Sequence, residues 1–146
     1  MKKQPCRVLF SVFVCLAMLL PCIGATAAAQ EGVIVEAGGT GFASLNEAVA
    51  AILEEDGQIG TVRVVGDTSI AERLVVPAGA DITITDDGSA HTVSSAYRLH
   101  VEAGGHLTID GEDLTFNKGL VSCAGEFVLR NGVLDMGGSE FRADYT

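Results

Sequence analysis

Past residue 29 the chain is short of the residues that usually staple, counter-charge or fill a small domain. It keeps one cysteine there, Cys123, while Cys6, Cys15 and Cys22 fall in or beside the N-terminal leader. A single cysteine closes no internal disulfide, so a disulfide scaffold is excluded. His91, His100 and His106 lack closely spaced thiol partners, so no zinc pattern is present. Basic residues are scarce too. Only Arg63, Arg73, Arg98, Lys118, Arg130 and Arg142 remain against all 19 acidic residues, a formal charge of −13 compared with −10 for the whole sequence. That balance argues against nucleic acid and anionic lipid as partners and favours solubility. Aromatic residues that read as buried are limited to Phe42, Phe116 and Phe127.

The leader itself is distinctive. Lys2, Lys3 and Arg7 precede the apolar run Val8–Leu20, which Pro21 breaks. The small residues Ala25-Thr26-Ala27-Ala28-Ala29 then supply A-x-A sites. This is the layout of a signal peptide at 1–29, with cleavage after Ala27 or Ala29. The run is short for a bilayer span, so the membrane is expected only as a contact of the uncleaved leader. Pro21 stands where a lipobox before Cys22 wants a small residue, which speaks against lipidation. The expected location is secreted or extracellular, with cell-surface association as a further expectation. About 117 residues remain, enough for one core but few for two domains.

What fills that length is glycine and short alternating runs. Apolar residues alternate at Val62 and Val64, Leu74 and Val76, Ile82 and Ile84, Leu99 and Val101, Leu107 and Ile109, Leu114 and Phe116. Phe127 and Leu129, then Leu134 and Met136, continue the pattern. Period two in such short runs reads as strands with one buried face. The runs also repeat. Val76, Ala78, Gly79, Ile82 and Ile84 recur 25 residues later as Val101, Ala103, Gly104, Leu107 and Ile109. Leu107, Ile109, Leu114 and Phe116 recur 20 later as Phe127, Leu129, Leu134 and Met136. A period of about 20–25 residues made of short strands and Gly turns marks a solenoid, whose coils bury inward residues only by stacking. Ala78-Gly79, Ala103-Gly104-Gly105 and Ala124-Gly125 are expected at one corner; Asp86-Asp87-Gly88, Asp110-Gly111 and Asn131-Gly132 at the next.

Upstream, SLNEAVAAILEE places Ser44 three residues before Glu47, a capping box, ahead of an apolar stripe of Leu45, Ala48, Val49, Ile52 and Leu53. Asp56-Gly57 supplies the stop. An amphipathic helix here is expected to cover the open first coil. The turn GGTG at 38–41 lacks the Lys-Ser/Thr of a phosphate loop. FASLNEAVAAI, followed by GTVRVVGDTSIAERLVVPAGADITI and the Gly-rich GGHLTIDG and NGVLDMGG, resembles the start of exported bacterial surface proteins with a right-handed parallel β-helix, pectate-lyase-like and adhesin-like. The resemblance runs over residues 33–140. It implies an all-β, right-handed parallel β-helix of about three to four coils with an N-terminal capping helix. The expected organisation is leader 1–29, strand and capping helix 30–60, and coils 61–146, with further coils expected beyond Thr146.

Enzymes of that resemblance cleave acidic polysaccharides with clustered carboxylates, often with Ca²⁺. Asp86, Asp87, Asp110, Glu112 and Asp113 would form an acidic ridge if stacked at about 4.8 Å, a candidate Ca²⁺ site through oxygen ligands. Asp also favours turns in its own right. No paired acid and base spacing is legible, so no catalytic residue is assigned. Arg73 and Arg98 are expected one above the other on an outer face shared with His100, open to sugar acids or paired with Glu72 and Glu102. His91 and His106 read as surface residues, and Cys123 as a buried small hydrophobe. The functional expectation is a structural or adhesive surface module, non-catalytic as it stands, whose partners are host or cell-wall glycans or proteins, with end-to-end self-association as a further expectation. The alternatives are the N-terminal part of a polysaccharide lyase or glycoside hydrolase whose active-site coils lie elsewhere, and a small Ca²⁺- or glycan-binding module.

Overall fold

The alternating runs become strands, and the repeat becomes their stacking. A computed structural model describes residues 33–117, 120–137 and 141–143 and shows a β-solenoid of about three turns with one short helix. The leader with its cleavage positions, Cys22 and Lys118 lie outside the described residues. The described residues begin with β1 (Val35–Ala37), β2 (Thr40–Phe42) and α1 (Leu45–Glu54). The first coil holds β3 (Ile59–Val64), β4 (Thr68–Ile70) and β5 (Leu74–Val76). The second holds β6 (Asp81–Asp86), β7 (His91–Ser95) and β8 (Arg98–Val101). In the third, β9 (His106–Asn117) serves two faces and β10 (Leu120–Cys123) the third. β11 (Glu126–Asp135) and β12 (Phe141–Ala143) lie upon that coil in the same way.

Every coil-to-coil pairing is parallel. On the first face β3, β6, the first half of β9 and the first half of β11 are in register; on the second, β4, β7 and the second halves of β9 and β11; on the third, β5, β8, β10 and β12. Inward residues therefore stack in columns. Val62, Ile84 and Ile109 form one, Leu74, Leu99 and Val121 another, and Val76, Val101 and Cys123 a third, all buried. Parallel stacking gives each column a like neighbour above and below, and its burial is the main source of stability.

The start of the solenoid differs from expectation. β1 pairs antiparallel with β3, Val35 facing Val64 and Ala37 facing Val62, and β2 pairs with β1. The edge of β3 is thus filled by a hairpin, because a strand edge needs backbone partners that a helix, its own groups already bonded, cannot give. The hairpin turns through Gly38 and Gly39, both at positive φ, as a two-residue connection of type I′ requires. Glu36 and Arg63, directly opposite, form an ion pair across the two strands. α1 packs on β1 to β4 and buries Leu45, Ala48, Val49 and Ile52. Its N-cap forms as read: Ser44 Oγ accepts from the Glu47 N–H at 3.2 Å, while Glu47 reaches back one residue further, to the Ala43 N–H.

Corners vary in length, and that alters the register. Pro77–Ala80 and Glu102–Gly105 are four-residue corners, whereas Ala124-Gly125 is a two-residue version in which Gly125 lies over Gly105. Further on, Asn131 to Val133 on β11 spans what Asp110 to Thr115 spans on β9. Leu134 therefore stacks on Phe116, not on Leu114, and Met136 falls past the strand end.

Candidate functional site

Side chains alternate along each strand, so every core column has a surface column beside it. These outer columns are where chemistry would be displayed. The acidic corner does not gather into one ridge. Asp86 accepts from the Gly88 N–H at 2.9 Å and from the Asp113 N–H at 3.0 Å, clasping the second coil to the third. Asp87 accepts from the Ser89 N–H and lies 2.9 Å from His91 Nε2. Asp110 is taken by Arg130 Nη1 at 2.8 Å and Asn131 Nδ2 at 2.6 Å. Glu112 and Asp113 are exposed. Among the described residues, no three His, Cys, Asp or Glu side chains are grouped as a metal site would need. Three of the five carboxylates instead tie turns and coils together, the structural use of Asp at corners.

These bonds shift two of the acids. The hydrogen bond to His91 holds the Asp87 carboxyl below its ordinary range, with the Ser89 N–H assisting. Asn131 and then Arg130 do the same for Asp110. His91 differs from its reading as a surface residue. It is in register with buried Leu114, and its side chain is only 13% exposed, because the turn after Asp87 folds the ring back towards that carboxylate. His106 is exposed and meets Glu126 at 3.1 Å, and Asp81, His106 and Glu126 stand in one column.

The third face carries the basic column. Leu74 is in register with Leu99, so Arg73 and Arg98, one residue before each, come together at the same corner, both exposed. Among the described residues neither makes an ion pair, and the expected pairs with Glu72 and Glu102 do not form. Val75, His100 and Ser122 make the adjoining column, with His100 Nδ1 3.2 Å from Ser122 Oγ. Tyr97, half exposed, precedes Arg98. Two guanidiniums, an imidazole and a phenol thus share one edge of a strongly acidic chain.

Other surface columns escaped the sequence reading. Thr61, Thr83 and Thr108 are in register on the first face, and Thr92 with Thr115 on the second. The signal was available: the letters between inward residues repeat at the same offsets as the core. The grooves flanking α1 offer little chemistry. In the one towards the β4–β5 connection, Asn46 spends both ends of its amide on backbone and Glu47 is held by the Ala43 N–H.

No family model, curated protein or solved structure matches the chain. It is a β-solenoid.

Proposed function

We propose that the chain is an exported, non-catalytic β-solenoid module of the cell surface or extracellular space, which displays its outer columns to glycan or protein partners. α1 and the β1–β2 hairpin serve as its N-terminal cap, and the handedness is that of right-handed parallel β-helices. The ligand class favoured is an acidic glycan, bound on the third face by Arg73 and Arg98 with His100 beside them. The observation that carries this is the pair of exposed arginines at one corner of successive coils, each without an acidic partner among the described residues of a chain that has acids in excess. Guanidiniums spaced by one coil match carboxylates repeated along a sugar polymer, and a fixed fork favours their bidentate recognition. Positions that differ between stacked coils, Val75 against His100 and Asp81 against His106, are where selectivity is written.

Binding to immobilised polygalacturonate tests the reading. The protein should bind it more tightly than neutral dextran, more weakly at high salt, and hardly at all as Arg73→Ala/Arg98→Ala. Equal binding to both polymers, or none to either, would overturn it. Unsaturated products released from polygalacturonate would instead support the lyase alternative. Heat evolved on titration with Ca²⁺ would support the metal-binding one.

A further inference from the structure

We propose that Tyr97 is the residue by which the third-face corner recognises a sugar ring: its phenol takes the apolar C–H face of one pyranose unit while Arg98 and Arg73 hold carboxylates. This role rests on the acidic-glycan reading of the two arginines. It adds to that reading the distinction between an acidic glycan and a polyanion without sugar rings.

Among the described side chains, Phe116 is buried and Phe42 and Phe127 pack against the buried cluster, whereas Tyr97 is 50% exposed. Exposure of a single ring is common and carries little by itself. What sets Tyr97 apart is the residue that holds it. Ser95 is in register with buried Ile70 and takes the same inward place, itself 7% exposed. Its Oγ donates to the Tyr97 carbonyl at 2.5 Å and accepts from the Tyr97 N–H at 3.3 Å. A hydroxyl can do both at once. The second coil thus places a serine where the first has an isoleucine, and its hydroxyl bridges both backbone groups of Tyr97. Apolar burial is lost at that position, and the backbone at the start of the third face is fixed in return. A tyrosine on a fixed backbone has only two side-chain torsions left to order on binding.

Tyr97 also stands beside the charges that an acidic glycan needs. Arg98 follows it directly and is exposed, and His100 is the next outward residue on β8. Leu74 pairs with Leu99, so Glu72 holds in the first coil the place that Tyr97 holds in the second. The exposed Glu72 carboxylate repels an acidic polymer there, which leaves the level of Tyr97 for the ring. A uronate unit has two recognisable parts, a carboxylate and a face of C–H groups. An arginine fork matches the first. An aromatic ring matches the second, because C–H groups with partial positive charge rest on the negative face of the π system. Polyglutamate has the first part only. Tyrosine and arginine are also the side chains enriched where binding energy concentrates.

Calorimetric titrations with oligogalacturonate and with polyglutamate, at matched charge and salt, are the test, and circular dichroism confirms the fold of each variant. Tyr97→Ala should weaken oligogalacturonate binding about tenfold and leave polyglutamate binding as it was. Tyr97→Phe keeps the ring and should bind like the parent. The chain has two tyrosines and no tryptophan, so in a Tyr145→Phe background the tyrosine emission reports on Tyr97 alone. Oligogalacturonate should change that emission, and polyglutamate should leave it nearly unchanged. Unaltered oligogalacturonate binding by Tyr97→Ala overturns the role of the ring and leaves the arginine reading standing. An equal loss on both polymers overturns it too, since the ring would then act on the shape of the corner. The arginine reading fails separately: Arg73→Ala/Arg98→Ala that binds oligogalacturonate as tightly as the parent would overturn it, and with it the pairing of ring and fork.

Discussion

Asn46 on α1 treats the backbone of the β4–β5 connection as a strand would: its Oδ1 accepts from the Ala71 N–H and its Nδ2 donates to the Glu72 carbonyl, each at 3.3 Å. One amide thus satisfies two backbone groups of the first coil and fixes where the helix sits. Asn46→Ala should lower unfolding free energy by about 1–2 kcal/mol, since two backbone groups lose their partner. Asn46→Asp keeps the acceptor but loses the donor, and should fall between the two. Urea unfolding followed by circular dichroism reads both.

Thr68 is the polar fault in the core. It stands in the inward column with Val93 and Phe116, is buried, and among the described residues its Oγ1 has no hydrogen-bond partner. Valine has nearly the same shape without the hydroxyl. Thr68→Val should therefore stabilise by about 1 kcal/mol, raising the melting temperature by roughly 4 °C. Thr83→Val, on an outer column, should change stability by less than about 0.5 kcal/mol.

How far the sequence carried is visible in these same columns. Ile82 and Ile84 against Leu107 and Ile109 were legible because alternation and a fixed offset are local signals that agree with each other. Thr68 gave no such signal: it takes an inward place that an apolar residue would have marked. The antiparallel β1 was hidden for a different reason, since a three-residue strand does not say which distant edge it will join. His91 was read as surface because nothing in its neighbours announces the turn that folds it towards Asp87. At the Asn131–Val133 corner, shortened relative to the coil beneath, constant spacing misplaced Leu134 and Met136. Of the candidate site, the stacking of Arg73 with Arg98 was legible from the repeat, but their lack of acidic partners among the described residues was not. The acids at the turns were legible as corner residues, while their division among separate backbone bonds needed coordinates.

Gly125 shows how closely the coils approach. A Cβ at this position would lie 2.3 Å from the carbonyl oxygens of both Glu102 and Gly105 in the coil beneath. Backbone atoms held in a stacked coil cannot retreat as a flexible side chain would. Gly125→Ala should cost about 3 kcal/mol. Gly79→Ala is the comparison: its φ of +86° strains an alanine, but nothing lies within 4 Å of the added carbon. About 1 kcal/mol is expected there. Equal losses for the two would mean that coil stacking is looser than these contacts require.

Acid should weaken the corner bonds in a defined direction. Asp87 and Asp110 have carboxyls held below their ordinary range in the folded chain, by His91 and by Asn131 with Arg130. A depressed folded value means that the unfolded chain takes up protons first as pH falls. Their contribution is therefore complete above the unfolded value of about 3.9 and is lost as pH drops through the lower folded value. Urea midpoints should fall between about pH 5 and pH 2, and Asp87→Asn/Asp110→Asn should flatten that fall. A decline confined to higher pH would point to other groups.

Cys123 completes the column of Val76 and Val101, 8% exposed. Burial pushes its thiol above the ordinary range, with the Glu126 charge adding to the effect and a hydrogen bond from Gly125 opposing it. Thiolate is the reactive form, so both access and ionisation protect this side chain. A thiol reagent such as Ellman's should label it slowly in the native protein and at once in urea. The native rate should then follow the opening of the third coil. Thr68→Val, by stabilising the whole domain, should slow labelling if opening is global and leave it unchanged if only β10 detaches. Fast labelling of the folded protein would place Cys123 outside the core column.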